Sequence, residues 1–312
     1  MSLLLSLTKT LVKVIGGCIL LTALGMAVVF PYHTDIVAPP KIEQKADDFY
    51  AKVYAQAAPG QPFNVVKEYV QSAQEGIRHE NVVPRVTAFA EQYGLENKHV
   101  LDVGAGTGYL QDVVKDYVAL DISSTAKRYF HKPYVEASAT DMPFRDNEFD
   151  ALWSIWVLEH VPNPEQALME IRRVTKDGGL LYLLPAWNCS PLAAEGYPVR
   201  PYSAFGLKGK FIKATVPVRV ALVGLSTILL PTHLAREKYV QWSGQPTHLH
   251  YVPLTPNYDH FWMSDADAVN SLDFFETMLW FTSRGDECLN CGEISGTEGK
   301  ELIIRVHKAR AI

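Results

Sequence analysis

One segment leaves this chain little freedom in how it folds: Val100 to Leu110, reading VLDVGAGTGYL. Val100, Leu101 and Val103 make a short buried strand. The glycines at 104, 106 and 108 let the backbone turn sharply and lie bare against a ligand before a helix predicted to start near Tyr109. A nucleotide-like cofactor is the natural occupant. The dinucleotide fingerprint needs glycines at its first, third and sixth places; here the sixth is Tyr109, which argues against NAD and FAD.

The strand-and-acid theme then repeats. Tyr117 to Ile122 is a second apolar strand carrying Asp121, roughly twenty positions past the turn, where a carboxylate accepts hydrogen bonds from ribose hydroxyls. Ala137 to Phe144 places Asp141 and Met142 at the mouth of a third strand, suited to the amino group and the face of an adenine. Glu148 to Val161 reads as a fourth strand, followed by a helix over Asn163–Val174, a turn at Asp177-Gly178-Gly179 and a fifth strand over Leu180–Leu184. Taken singly, the glycines make only a tight connection and Asp121 a helix cap; together their spacings fit one ligand.

Asp102-x-Gly104-x-Gly106-x-Gly108, Asp121, Thr140-Asp141-Met142-Pro143-Phe144, Glu159-His160-Val161-Pro162, Glu170-Ile171-Arg172-Arg173-Val174 and Gly178-Gly179 resemble, in order and spacing, the class I S-adenosylmethionine-dependent methyltransferases. The nearest subgroup is the small-molecule type 11 kind, which includes quinone and sterol methyltransferases. The resemblance covers roughly residues 95 to 185. It implies a Rossmann-like α/β fold, a seven-stranded sheet with helices on both faces and ligand at the carboxyl ends of the strands. It also implies S-adenosylmethionine as cofactor, held by Asp102, Gly104, Gly106, Gly108, Asp121, Asp141 and Met142. Trp156, just past the fourth strand, either flanks the cofactor's methionine part or belongs to the core.

The domain plan expected is an anchor over 1–31, a helical lead-in over 32–98, a methyltransferase core over 99–185 and 263–309, and a long insertion after the fifth strand over 186–262. Val14 to Phe30 is an uncharged, mostly apolar run preceded by Lys9 and Lys13. It reads as an uncleaved transmembrane helix rather than a cleaved signal peptide. The expected location is a membrane, single-pass, with the catalytic domain facing the cytosol where the cofactor is made. The insertion carries basic residues and interleaved aromatics leading into the apolar run Val216–Pro231. It is either the wall of an acceptor pocket or, around residues 208–231, a surface lying in a lipid interface. Ser264 to Trp280 reads as a helix capped by Ser264, and Glu287–Ile294 with Glu301–His307 as a closing hairpin.

A net charge of −5 gives no nucleic-acid footprint. Cys288-x-x-Cys291 lacks a second matched pair, so two incidental thiols in a hairpin are expected and no metal. The acceptor expected is a small, lipid-like molecule at a membrane. His160, at the sheet edge where cofactor and acceptor meet, is the candidate general base, or fixes only the loop before Pro162. The competing reading is a non-catalytic, methyltransferase-like cofactor-binding or scaffold protein.

Overall fold

A computed structural model describes residues 8–18, 20–21, 40–56, 65–217, 231–291 and 301–308. At its centre is a seven-stranded sheet. The strands are β1 (His99–Val103), β2 (Asp116–Asp121), β3 (Tyr134–Glu136), β4 (Phe149–Ile155), β5 (Thr175–Leu184), β8 (Glu287–Cys288) and β9 (Leu302–Arg305). Their order is β3-β2-β1-β4-β5-β9-β8. The first five run parallel, while β9 pairs antiparallel to both β5 and β8. Two further strands, β6 (Tyr251–Pro253) and β7 (Asn270–Leu272), form a separate antiparallel pair. Strand order reverses between β1 and β4, the point at which an open α/β sheet leaves a crevice at its carboxyl edge.

Alternation along β1 sorts its side chains between the two faces. Leu101 and Val103 join Leu152, Leu181 and Leu183 in one core, whereas Val100 joins Ala151, Trp153 and Tyr182 in the other. Helix α1 (Pro40–Gln56) precedes α2 (Val65–His79) and α3 (Val82–Gln92) in the lead-in. Later come α4 (Pro164–Val174), α5 (Pro231–Ser243) and α6 (Phe274–Thr282). Helix α4 starts where predicted because the Asn163 side chain accepts from the Gln166 amide at 3.2 Å and Pro164 needs no donor.

Helix α1 is fastened by its carboxyl end. The Ser123 and Thr125 hydroxyls donate to the carbonyls of Tyr50 and Ala51, and Arg128 and Tyr129 to that of Tyr54. The Tyr54 carbonyl is one that a helix end otherwise leaves open, while those of Tyr50 and Ala51 accept these bonds from within the helix. They also set α1 beside the carboxyl edge of β2.

Several sequence expectations are corrected. No helix follows the glycine turn, and residues 109–115 are turns and bends. A helix advances only about 1.5 Å per residue, so seven residues cannot run back along a five-residue strand at ~3.3 Å each. Residues 137–144 are not a strand: β3 lies earlier, and Ser138 takes the Thr140 amide on its hydroxyl and the Asp141 amide on its carbonyl. The helix expected over Ser264–Trp280 is broken. Asp265 has φ +63°, residues 270–272 pair as β7, and the helix starts only where the Asp273 side chain accepts from the Glu276 amide at 3.0 Å. Cys288 and Cys291 are joined as a disulfide rather than standing as two thiols.

The transmembrane anchor is also corrected, and with it the fold's membrane element, the membrane partner, the membrane location with a cytosol-facing domain, and an acceptor met at a membrane. Among the described residues no helix is long and apolar enough to cross a membrane. Residues 8–18 are helical and include Lys9 and Lys13; at ~1.5 Å per residue they reach about 17 Å of a ~30 Å hydrocarbon core. The remainder of the expected span, residues 22–30, lies outside the described residues. So does most of the stretch 208–231 expected at a lipid interface: residues 207–217 are helical, and 218–230 are outside.

Candidate active site

The chain leaves β1 through three glycines in the left-handed region, Gly104 at φ +74°, Gly106 at +54° and Gly108 at +74°. A Cβ built on Gly104 would overlap the Val157 side chain, so this position tolerates no side chain on both counts. The turn is hung from the end of β2. The Gly104 and Ala105 amides donate to the Leu120 carbonyl at 2.7 and 3.1 Å, and the Gly106 amide donates to Asp121 Oδ2 at 2.9 Å. Asp121 Oδ1 accepts from the Ser123 amide at 3.0 Å. Burial raises the Asp121 pKa, with the Ser123, Gly106 and Ile122 amides opposing that rise.

Two adjoining cavities open at this edge, of about 680 and 100 Å³, and both are bordered by Tyr54, Tyr69, Gly104, Trp156 and His160. The smaller also touches Asp121, Ile122 and Ala139. The larger lies in the size range of small-molecule sites and reaches Glu159, Asp265, Trp187 and Phe261. Trp156 stands between them at φ +54°, an uncommon conformation for a bulky residue, held by its amide bonding to the Leu184 carbonyl at 2.8 Å.

Of the residues predicted from sequence, the structure brings together Gly104, Gly106, Asp121, Trp156 and His160 at these cavities. Asp102, Gly108, Asp141 and Met142 border neither. Asp102 is buried in the sheet, where the Tyr117 hydroxyl donates to it at 2.7 Å; burial pushes its pKa up to about 7 against that bond. Met142 is core, its amide donating to Glu170 at 2.9 Å, and Asp141 is exposed.

The far wall is built by contacts distant in sequence. A short 3-10 turn, Leu158–His160, follows β4 and is pinned by β7 and the residue before it: Asn270 Nδ2 donates to the carbonyls of Leu158 and Val161 at 2.8 Å each, and the Val269 amide donates to that of Glu159 at 2.9 Å. This sets His160 Nδ1 3.4 Å from Asp267 Oδ2 and Nε2 3.8 Å from Glu159 Oε1. The Tyr50 hydroxyl donates to the same Asp267 oxygen at 2.7 Å. Burial works to lower the His160 pKa, but the carboxylates of Asp267, Glu159 and Asp265 outweigh it and the net shift is upward. Glu159 is fully buried, and neither carboxylate oxygen has a hydrogen-bond partner within normal geometry. Burial pushes its pKa up to about 7, with the His160 charge the foremost opposing influence.

Sequence reasoning misses Glu159, Asp265, Asp267, Tyr50, Tyr54 and Tyr69 as site members. It puts Asp265 and Asp267 in a helix's first turn, and Tyr50 and Tyr69 in a segment of packing helices. The signal present in the sequence is the pair of acids spaced by one residue, Asp265 and Asp267.

A mostly parallel sheet with a strand-order switch, a glycine turn after its first strand and a buried acid ending the second define a class I S-adenosylmethionine-dependent methyltransferase domain. Residues 101–183 match the family described as methyltransferase domain, and this part of the chain is similar to quinone C-methyltransferases. The cofactor of such a domain is S-adenosylmethionine. The chain is 35% identical over 148 residues to a demethylmenaquinone methyltransferase of Renibacterium salmoninarum, covering 44% of this chain and 58% of that one. It is 35% identical over 80 residues to a ubiquinone/menaquinone biosynthesis C-methyltransferase of Hahella chejuensis, covering 25% and 32%. The match thus spans less than two thirds of these relatives' length. Among solved structures, a SAM-dependent methyltransferase of Aquifex aeolicus is similar at 20% identity and a TM-score of 0.32, over 40% of this chain and 74% of that one.

Proposed function

We propose that this protein transfers a methyl group from S-adenosylmethionine to a small molecule held in the larger cavity. The observation that carries this reading is the pair of adjoining cavities at the strand-order switch, sharing Gly104, Trp156 and His160 as common walls. The residues present fit the cofactor. The turn offers backbone without side chains, and Asp121, which accepts from the Gly106 and Ser123 amides, has further lone pairs for ribose hydroxyls.

Bound there, S-adenosylmethionine supplies an electrophilic methyl group on a sulfonium. The chain's own task is alignment, exclusion of water and proton removal. Trp156 borders both cavities, and the glycine turn opens into the larger one through Gly106 and Thr107. Asp267 lies 3.4 Å from Nδ1 of His160 and stabilises the charge the ring gains when it takes the acceptor's proton. The insertion at 186–262 closes the acceptor side through Trp187 and Phe261. Two of the relatives are named for methylating demethylmenaquinone or for ubiquinone/menaquinone biosynthesis; the acceptor of this chain is set by its own cavity wall.

Calorimetric titration of the full chain with S-adenosylhomocysteine tests the reading. Micromolar binding is expected, weakened at least about tenfold by Asp121→Ala through loss of two or more hydrogen bonds. A folded protein that binds neither S-adenosylhomocysteine nor S-adenosylmethionine overturns it.

A further inference from the structure

The larger cavity is acidic and aromatic at once. Glu75, Glu80, Glu159, Asp265 and Asp267 line it, against Arg85, His79 and His160 among its described lining residues, and Arg85 is ion-paired with Glu301. Glu159 is the informative member: it is 0% exposed, neither oxygen has a side-chain hydrogen bond, and the cation facing it is the His160 ring at 3.8 Å. Asp267 leaves Oδ1 in the same condition while Tyr50 holds Oδ2. A buried carboxylate with no donor is costly unless something else supplies the counter-charge. The walls around it are Tyr54, Tyr69, Trp156 and Phe261, whose ring faces attract cations.

A phenol or enol acceptor fits this environment poorly. Its nucleophilic form is an anion, and the neighbouring carboxylates repel it at short range in a medium of low dielectric. An ammonium ion meets the opposite situation, since the cavity offers it carboxylates and aromatic faces in place of water.

We propose that the acceptor is an amine that enters as its ammonium ion, with Glu159, Asp265 and Asp267 holding the charge and the aromatic walls holding the carbon skeleton. This rests on the methyltransferase reading above. In the reaction the ammonium gives one proton to His160. The freed nitrogen lone pair forms the N–C bond to the methyl as the methyl–sulfur bond breaks, its electron pair remaining on sulfur to give S-adenosylhomocysteine.

The test uses the full chain saturated with S-adenosylhomocysteine and two isosteric pairs as probes, benzylamine against benzyl alcohol and n-hexylamine against n-hexanol, with binding followed by calorimetry near neutral pH. The amine of at least one pair is expected to bind about tenfold or more tighter than its alcohol. Glu159→Gln and Asp265→Asn are expected to erase most of that preference without changing alcohol or S-adenosylhomocysteine affinity. Transfer of radiolabelled methyl to the preferred amine would support it further. Equal affinity for amine and alcohol in both pairs overturns the proposal, and it does so in the unsubstituted protein, whatever the variants do. S-adenosylhomocysteine binding, measured first, separates this outcome from failure of the methyltransferase reading. Should it fail to bind, the amine and alcohol comparison is made on the protein alone, where equal affinity again overturns the proposal.

Discussion

The two walls of the cleft satisfy their polar groups in opposite ways. On the cofactor side, Asp121 spends both oxygens on backbone amides 15 and two residues away, and the glycine amides close on the neighbouring strand. That wall is self-contained, and its rigidity comes from bonds among residues 104–123. On the acceptor side, Glu159 and one oxygen of Asp267 are buried with no side-chain hydrogen bond, Glu159 faces only the neighbouring His160 ring at 3.8 Å, and Asp267 meets His160 and Tyr50 from more than 100 positions away. Such a wall is complemented by a ligand that brings donors or a counter-charge of its own. A cofactor common to many enzymes meets a wall that is complete in itself, while the acceptor meets one whose polar groups await a partner.

The largest effect should come from breaking the self-contained wall. Gly104→Ala adds a side chain into Val157 at a left-handed backbone position, and a loss of about 2–4 kcal/mol in denaturant unfolding is expected, together with cofactor affinity. An unfolding midpoint equal to that of the unsubstituted protein would show that the turn relaxes freely.

The opposite sign is expected on the acceptor side. The Glu159 pKa is about 7 in the folded chain against an ordinary value of 4.5, so the unfolded state binds fewer protons across that interval and stability falls as pH rises through it. Glu159→Gln removes this loss. The variant should therefore gain on the unsubstituted protein between about pH 4.5 and 7 and hold a roughly constant advantage of about 1–2 kcal/mol above. Thermal melts at pH 5 and pH 8.5 check the sign; a variant less stable at pH 8.5 would mean that Glu159 already has a partner.

The smallest effect sharpens the boundary of the cofactor wall. Asp141 is exposed and borders neither cavity, so Asp141→Ala should move stability by no more than about 0.5 kcal/mol and leave S-adenosylhomocysteine affinity unchanged within about twofold. A larger loss of affinity would extend that wall to the loop after β3.

Much of the sheet is legible in the chain because its signals are local. Apolar runs ending in an acid mark β1 and β2, and Asn163-Pro164 marks the start of α4. Pattern fails where length or a competing side chain overrides it. Tyr109 onward has helix-compatible residues but too few of them to return along the strand. Ser138 diverts the backbone that periodicity makes a third strand, and Asp273 captures a helix start nine residues later than Ser264 would place it. The anchor over Val14–Phe30 rests on apolarity alone, and the described residues contain no helix that spans a membrane.

By itself the sequence determined the glycine turn, the acid that holds it and the position of His160 just after β4, because each depends on neighbours within a few residues or on adjacent strands. Only the tertiary structure decided that Asp102 faces into the sheet and that Tyr50, Tyr69, Asp265 and Asp267 converge on His160. Strand alternation assigns a side chain to a face but not to a partner. A lead-in helix and a segment beyond the insertion meet only after the intervening chain has packed, and burial then gives their charges their energetic weight.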